Sequence, residues 1–512
     1  MAIHTFASIY IGTFEVLLKI FEFSSRKNIK AIDEVSSRLD LGRDSVVKGS
    51  LGYEIVEQLC DVLAEFKTIM EGYKVDNYEV YASTVLREIS NELFVLDQIH
   101  LRTGFDVKVI SNSEHRFLSF KSLAGRELFE DTIKKPTAMI DVGGASIQIT
   151  ILKNGHICDT EHIEVGIIKL RELFYKPGVS EKIYRNQIAE YLNERFEVFR
   201  SLYLDANQIE NIIFMNDYGM NLIGKIENKK STNNLIKAEK FTKFLSKLQR
   251  KSTSEIIEEL SISNDKESLI VPSVMLFKSL TVNLCANNVW IPGANVNDGI
   301  ANDYAYRNKL IKDMHDFNQD IISAAINLSE HYRSYSLHIS EMRELSGKIF
   351  DTLKKMHGLG NRERLLLQVA TILHDCGKYI SLANSAMCAY NIIMSSEILG
   401  LSHSEREMVA HTVLYNTLPL DEYEEVSDVL TREEYLIVAK LSAILRVANA
   451  LDQSHKQKIK NLRFALKNKE FIITAEAFED ISLEKALFED KTIYFENVFS
   501  VKPVLREKKV FM

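Results

Sequence analysis

Apolar and polar residues alternate through the first 24 positions, with Ile9, Ile11, Val16, Leu18, Ile20 and Phe21 around Gly12-Thr13, which predicts two strands joined by a tight turn. Residues 50–71 switch to helical spacing, with Ile55, Val56, Leu59, Leu63, Phe66 and Ile69 on one stripe. Short strands are expected at 79–82 and 107–110. Each runs into a polar turn, Ser83-Thr84-Val85-Leu86-Arg87 and Ser111-Asn112-Ser113-Glu114-His115-Arg116. Residues 138–150 repeat the opening motif: Met139, Ile140 and Val142 make a strand, Gly143-Gly144-Ala145-Ser146 turn, and Ile147, Ile149 and Ile151 return. A further strand is expected at 211–215, and the two hairpins suggest a duplicated α/β unit. From about residue 313 helical stripes dominate, at 343–356, 364–373, 389–399, 404–414 and 435–451. Residues 459–506 return to strand spacing.

The 138–150 hairpin invites chemistry. Glycine permits close backbone approach to a ligand, successive N–H groups can ring a phosphate, and an acid on the strand can hold Mg²⁺. Asp141 before the turn and Ser146 within it favour this over an ordinary glycine hairpin. Residues 83–87 suit an anion site, with Arg87 as the fork, and equally suit a helix N-cap with a surface arginine. Residues 225–251, rich in Lys and Asn, read as a solvated basic helix or insertion.

Composition narrows the class. A chain of 512 residues is too long for one core and should form about three or four domains. With 46% hydrophobic and 26% charged residues it is an ordinary globular sequence. Its net charge of −8 gives no general attraction to nucleic acid or anionic membrane. Five scattered cysteines contain no CxxC pair, so neither a disulfide framework nor a zinc cluster is expected. Glu15, Lys19 and Glu22 interrupt the apolar N-terminus, which argues against a signal peptide or membrane span and for a cytoplasmic protein.

Several blocks match one family in order: A-S-T-V-L-R at 82–87, V-I-S-N-S-E at 109–114, I-D-V-G-G-A-S at 140–146, L-H-D-C-G-K-Y-I-S at 373–381 and L-S-A-I-L-R-V-A-N-A-L-D-Q-S-H at 441–455. The chain resembles the exopolyphosphatase / guanosine pentaphosphate phosphatase (Ppx/GppA) family in its long form. The resemblance implies an α/β fold: two actin-like, ribonuclease H-like ATPase lobes (1–125 and 126–312), an all-α HD-type domain (313–458) and a small α+β domain (459–512). It implies a cleft in which Mg²⁺ (or Mn²⁺) assists removal of terminal phosphate from inorganic polyphosphate or from a guanosine penta- or tetraphosphate. By resemblance Asp141 holds the metal or orients water, Glu114 is the general base and Arg87 clamps a phosphate oxygen. Gly12, Thr13, Ser83, Thr84, Gly143, Gly144, Ala145 and Ser146 cradle phosphate. A homodimer is also implied, with neither nucleic acid nor membrane as partner.

The chain departs from the family pattern. The first hairpin carries Tyr10 where the family has an acid, and Phe14 in the small turn. Gln148 replaces a second acid, and Asn216-Asp217-Tyr218-Gly219 replaces a glycine-rich turn. These changes should weaken Mg²⁺ binding, and they open a second reading, a catalytically degenerate sensor that binds polyphosphate or alarmone. In the HD-type region His338, His374 and Asp375 match metal ligands, while other ligand positions hold Ser385, Ala386, Cys388, Asn416 and Asn449. Structural hydrogen bonds are the favoured role there, with His403, His411 and His455 as surface or packing residues.

Overall fold

The computed structural model describes residues 4–13, 15–24, 29–39, 41–87, 89–144, 146–204, 209–215, 234–260, 267–311, 315–467, 469–477 and 479–509. The chain divides into two compact units, 1–316 and 317–512.

The first unit contains two sheets built on one plan. In the first, β1 (His4–Ile11), β2 (Glu15–Phe23) and β3 (Ile29–Arg38) form an antiparallel meander. β4 (Asn77–Ala82) and β5 (Val107–Val109) then extend it in parallel on the β1 side, giving the order β3-β2-β1-β4-β5. In the second, β6 (Thr137–Val142), β7 (Ile147–Lys153) and β8 (His156–Ile163) repeat the meander. β9 (Asn211–Phe214) and β11 (Asn288–Trp290) add in parallel beyond β6, and β10 (Leu235–Lys237) closes the edge. The duplication expected from the two hairpins is therefore present in strand order. So is the expected fold class: two actin-like α/β lobes, a helical region and a small sheet-containing segment.

Period-two alternation decides which face of each sheet becomes core. Ala138, Ile140 and Val142 on β6, with Ile147, Ile149 and Ile151 on β7, pack under helices Glu181–Tyr203 and Glu267–Asn283. Asp141 and Gln148 necessarily point to the other face. In the first lobe Ala7, Ile9 and Ile11 pack against helix Tyr53–Gly72. The alternate residues Phe6, Phe21, Phe23 and Tyr81 meet Leu118 of helix Asn112–Ala124 and Val296, Ile300, Ala301 and Ala305 of helix Val296–Arg307. This last helix follows the second lobe in sequence yet packs on the first. Gly299 permits the contact, because a Cβ there would lie 1.8 Å from the Leu118 carbonyl oxygen.

An ionic cluster fixes the same helix. Lys121 reaches Asp303 at 2.5 Å, and Arg307 bonds Asp303 at 2.8 Å and Glu79 at 2.7 Å. Burial opposes ionisation of Asp303, but Lys121 and Arg307 outweigh it and hold the carboxyl below its usual range. A depressed acid stabilises the fold above its unfolded pKa of about 4, and the contribution disappears as pH falls through the lower folded value. We expect Asp303→Asn to cost about 3 kcal/mol in urea denaturation at pH 7, because it strands a largely buried lysine. The gap between the variant and the parent should close as pH falls below about 4.

The second unit is mainly helical, with Phe317–His331, Ser336–Thr352, Asn361–Leu373, Ser385–Ser395, His403–Leu414 and Arg432–Leu451 as its principal helices. β12 (Ile459–Lys467), β13 (Glu470–Ala477) and β14 (Lys502–Lys509) follow as a three-stranded sheet. Helix Ser482–Phe499 connects the parallel pair β13 and β14 and packs on Arg432–Leu451, where the Tyr494 hydroxyl donates to the Ala439 carbonyl at 3.1 Å. Among the described residues no helix is long and apolar enough to cross a membrane. The five cysteines form no disulfide.

Some expected local features differ. No helix starts at Ser83 or Thr84. Residues 84–87 are a turn closed by Leu86 N–H to Ser83 O (3.2 Å) and Arg87 N–H to Thr84 O (2.9 Å), and the helix begins at Glu92. Of the basic 225–251 stretch, 225–233 lies outside the described residues, as does the 216–219 turn, while Ala238–Leu248 is a helix with a buried apolar stripe.

Candidate active site

The two glycine turns share one hydrogen-bond pattern. Gly12 N–H donates to Glu15 O at 2.8 Å, and Gly143 N–H donates to Ser146 O at 2.9 Å. The start of a later helix seals each turn from behind: Gly42 N–H donates to Thr13 O (2.9 Å), and Ile168 N–H donates to Gly144 O (2.8 Å). Tightness explains the glycines of the second turn. A Cβ on Gly143 would stand 2.9 Å from Ser146 O, and one on Gly144 2.8 Å from Ile168 Cδ1. Phe14 and Ala145, one in each turn, lie outside the described residues.

A polar row crosses the second sheet. Asp141 on β6 pairs with Gln148 on β7, and Gln148 pairs with His162 on β8. Directly opposed residues on neighbouring antiparallel strands share a face, so all three side chains leave the sheet on the side away from the helical core. Gln148 is buried, and both atoms of its amide lack a hydrogen-bond partner among the described residues. An orphaned buried amide costs about 1–3 kcal/mol, which a ligand held there would recover.

The first lobe answers this row with Tyr10, Ser83, His115 and Arg116. Arg116 is buried and donates from Nη2 to His162 Nδ1 at 2.9 Å, bridging the lobes. The Tyr10 and His115 rings lie 5.4 Å apart. Burial pushes the Tyr10 hydroxyl far above its ordinary range; the adjacent Ser83 opposes this and the charge of Asp141 adds to it. Tyr10 is therefore a neutral donor, not a substitute for a carboxylate. Burial holds the His115 imidazole below its ordinary pKa, against the nearby Asp141 and together with Arg116. The neutral ring offers a lone pair beside the aspartate.

The residues expected from the sequence fall into two groups. Asp141 and Ser83 lie by Tyr10, and Gly12, Thr13, Gly143, Gly144 and Ser146 belong to the two turns. Glu114 opens the neighbouring helix through a capping box: Ser111 N–H and Oγ–H each donate to Oε2 at 2.9 Å, while Oε1 lies 3.8 Å from Lys108 Nζ. One turn-position further on, His115 takes the direction towards Asp141. The S-x-x-E spacing at 111–114 was the available signal, since it places Glu114 at the capping position and its successor on another side of the helix. Arg87 is exposed, and Thr84 Oγ1 reaches Asn112 Oδ1 at 3.5 Å.

The Ppx/GppA phosphatase family model matches residues 20–306, more than half of the chain, and the model for domain III of the same phosphatases matches 322–492. The chain belongs to the Ppx/GppA phosphatase family. Solved structures agree on the fold. The Aquifex aeolicus Ppx/GppA family member is 17% identical, covers 60% of this chain and 99% of its own, and superposes with a TM-score of 0.53. An exopolyphosphatase from Cytophaga hutchinsonii is 18% identical over 60% of this chain and 99% of its own, with a TM-score of 0.51. At this identity the likeness concerns the actin-like fold of this Ppx/GppA protein.

In the second unit the structure brings His338, His374 and Asp375 together and adds Asp452 and His455. His338 Nδ1–H donates to Asp452 Oδ2 (2.7 Å), and His374 Nδ1–H donates to Thr371 O (2.7 Å). Both Nε2 atoms are then left without a proton of their own, and they face each other at 3.2 Å. Two lone pairs at that distance require a shared proton or a cation between them. His338, Asp375 and His455 each bring a ligand atom within 4.8 Å of the others, a donor set that suits a divalent transition ion. Burial would raise the Asp375 carboxyl, but His374 and Lys378 hold it down at about 2. His455 stacks on His338 with centroids 3.7 Å apart, a packing contact that also brings it into this cluster.

Proposed function

We propose that this Ppx/GppA protein is a phosphohydrolase that removes the terminal phosphate from inorganic polyphosphate, with pppGpp as the alternative substrate of the same cleft. The observation that carries the reading is the convergence of Asp141, its two sealed glycine turns and His115 on one face between two actin-like lobes. Phosphoryl transfer needs positioning and charge neutralisation more than covalent help. The turn backbones and Ser146 hold the terminal phosphate, Arg87 approaches it from solvent, and the Tyr10 hydroxyl orients a phosphate oxygen by donation.

The site fits Mg²⁺ carried in with the substrate. Asp141 supplies a carboxylate and the unpartnered Gln148 Oε1 a neutral ligand, a pairing typical of ions that keep phosphate oxygens and waters in their shell. When bound, the ion neutralises charge on the phosphate oxygens. Two neighbours compete to accept the proton of the attacking water. Glu114 is held by its capping box, so we place the role on His115.

A second reading has its own support. Tyr10 and Gln148 are neutral where the family pattern is acidic, which favours a slow enzyme or a sensor. Phosphate release from long-chain polyphosphate and from pppGpp, with and without Mg²⁺ or Mn²⁺, separates the readings. Metal-dependent release from folded protein supports the hydrolase. Binding of either compound without release overturns it in favour of the sensor.

A further inference from the structure

A basic pocket on the second lobe stands apart from the cleft. It has a volume of about 680 Å³ and lies between helices Glu181–Tyr203 and Glu267–Asn283 and the 249–252 loop. These helices cover the sheet face opposite to Asp141, so the pocket is separate from the active-site row. The size suits a small ligand.

The charges in the pocket are unbalanced. Arg185 is occupied structurally: it donates to the carbonyls of Gln249 (2.7 Å) and Lys251 (2.8 Å) and to Glu181 (2.5 Å). Lys251 is paired with Glu259 at 2.6 Å. Each carboxylate at the pocket is thereby used. Lys182, Arg250 and Lys278 remain with no carboxylate partner among the described residues. Lys278 donates only to the neutral Gln249 Oε1 at 2.5 Å. Burial and the charge of Arg250 push the Lys278 amine below its ordinary range. Two cations facing one concavity without a counter-ion repel each other, and an anion placed between them relieves the repulsion while accepting charge-assisted hydrogen bonds.

We propose that this pocket is a second anion site that takes an oligophosphate, a chain of linked phosphates long enough to reach Arg250, Lys278 and Lys182 together. The site is independent of the cleft and of the reaction assigned there. Inorganic tripolyphosphate and the phosphate tail of a nucleoside triphosphate share the chemistry recognised.

The test uses the full-length chain and isothermal titration calorimetry with tripolyphosphate in metal-free buffer. Gly143→Val, whose side chain would collide with the Ser146 carbonyl oxygen, disrupts the phosphate turn of the cleft and should retain tripolyphosphate binding at this second site. Adding Arg250→Gln and Lys278→Gln in that background should weaken binding about tenfold or more and flatten its salt dependence. Ser279→Glu, which places a carboxylate in the same pocket, should do likewise, so a folding defect in one variant is not mistaken for the effect. Unchanged affinity in folded forms of both variants overturns the proposal, as does binding of orthophosphate with the affinity of tripolyphosphate. GTP binding equal to tripolyphosphate supports recognition of the phosphate chain alone. Tighter GTP binding lost in the same variants supports the site with added contact to the nucleoside. Loss of binding in Gly143→Val alone assigns the anion to the cleft and overturns the second site.

Discussion

Asp141→Asn should abolish metal-dependent phosphate release, by at least about a hundredfold, while leaving the melting temperature within about 2 °C of the parent. The aspartate is the cleft's carboxylate on the second sheet, its neighbours Tyr10 and Gln148 are neutral, and its side chain is half-buried rather than committed to packing. The remaining amide and phenol carry no charge with which to hold a cation. The substitution preserves shape and β-strand pairing, so stability is expected to survive. Colorimetric phosphate assays across Mg²⁺ concentrations check this. Residual release that recovers fully at high Mg²⁺ would show Asp141 to be a metal ligand only, and release unaffected at all concentrations would remove it from the chemistry.

The second large effect is expected from His115→Gln, paired with Glu114→Gln. If His115 accepts the proton of the attacking water, its variant should lose about 10²–10⁴-fold in kcat with little change in KM, the usual range for a general base. Glu114→Gln should keep most of the turnover and lose about 1 kcal/mol of stability, because its carboxylate closes the capping box with Ser111. The two variants move different observables, so the assignment does not depend on the size of either effect. The reverse result, a turnover collapse in Glu114→Gln with His115→Gln near normal, would return the role to the carboxylate.

The neighbouring pair shows where the sequence was legible and where it stopped. The hairpin at 138–150 could be read from alternation and small residues, because both signals are local, and the matching hairpin at Gly12 revealed the duplication. Strand order confirmed it through features no window of sequence contains: β4 and β5 joining β1, and β9 and β11 joining β6. Glu114 and His115 differ by one position, yet a rotation of about 100° around the helix sends one to the cap and the other to the cleft. Motif matching cannot separate neighbours whose difference is rotational. The sequence reads His455 as a surface or packing residue; its place beside His338 and Asp375, 117 and 80 positions away, comes only from folding. The bond of Asp452 to His338 depends on how helix Arg432–Leu451 ends, which no local pattern of sequence shows. Strand β3 has no buried residue and few large apolar side chains, so it gives a weak signal as an edge strand.

Helix Val296–Arg307 carries a consequence for how the protein is made. The face formed by Phe6, Phe21, Phe23 and Tyr81 is covered only in part by Leu118, and the rest of its cover comes from Val296–Ala305, more than two hundred positions later in the chain. During synthesis the opening sheet thus keeps part of an aromatic surface open to water until the whole second lobe has left the ribosome, about 10–40 s at ordinary elongation rates. The first lobe cannot mature on its own schedule. A chain stopped anywhere between the two lobes presents that surface to chaperones or to other chains, so messages interrupted there should yield aggregates or proteolytic fragments, not a soluble half-protein.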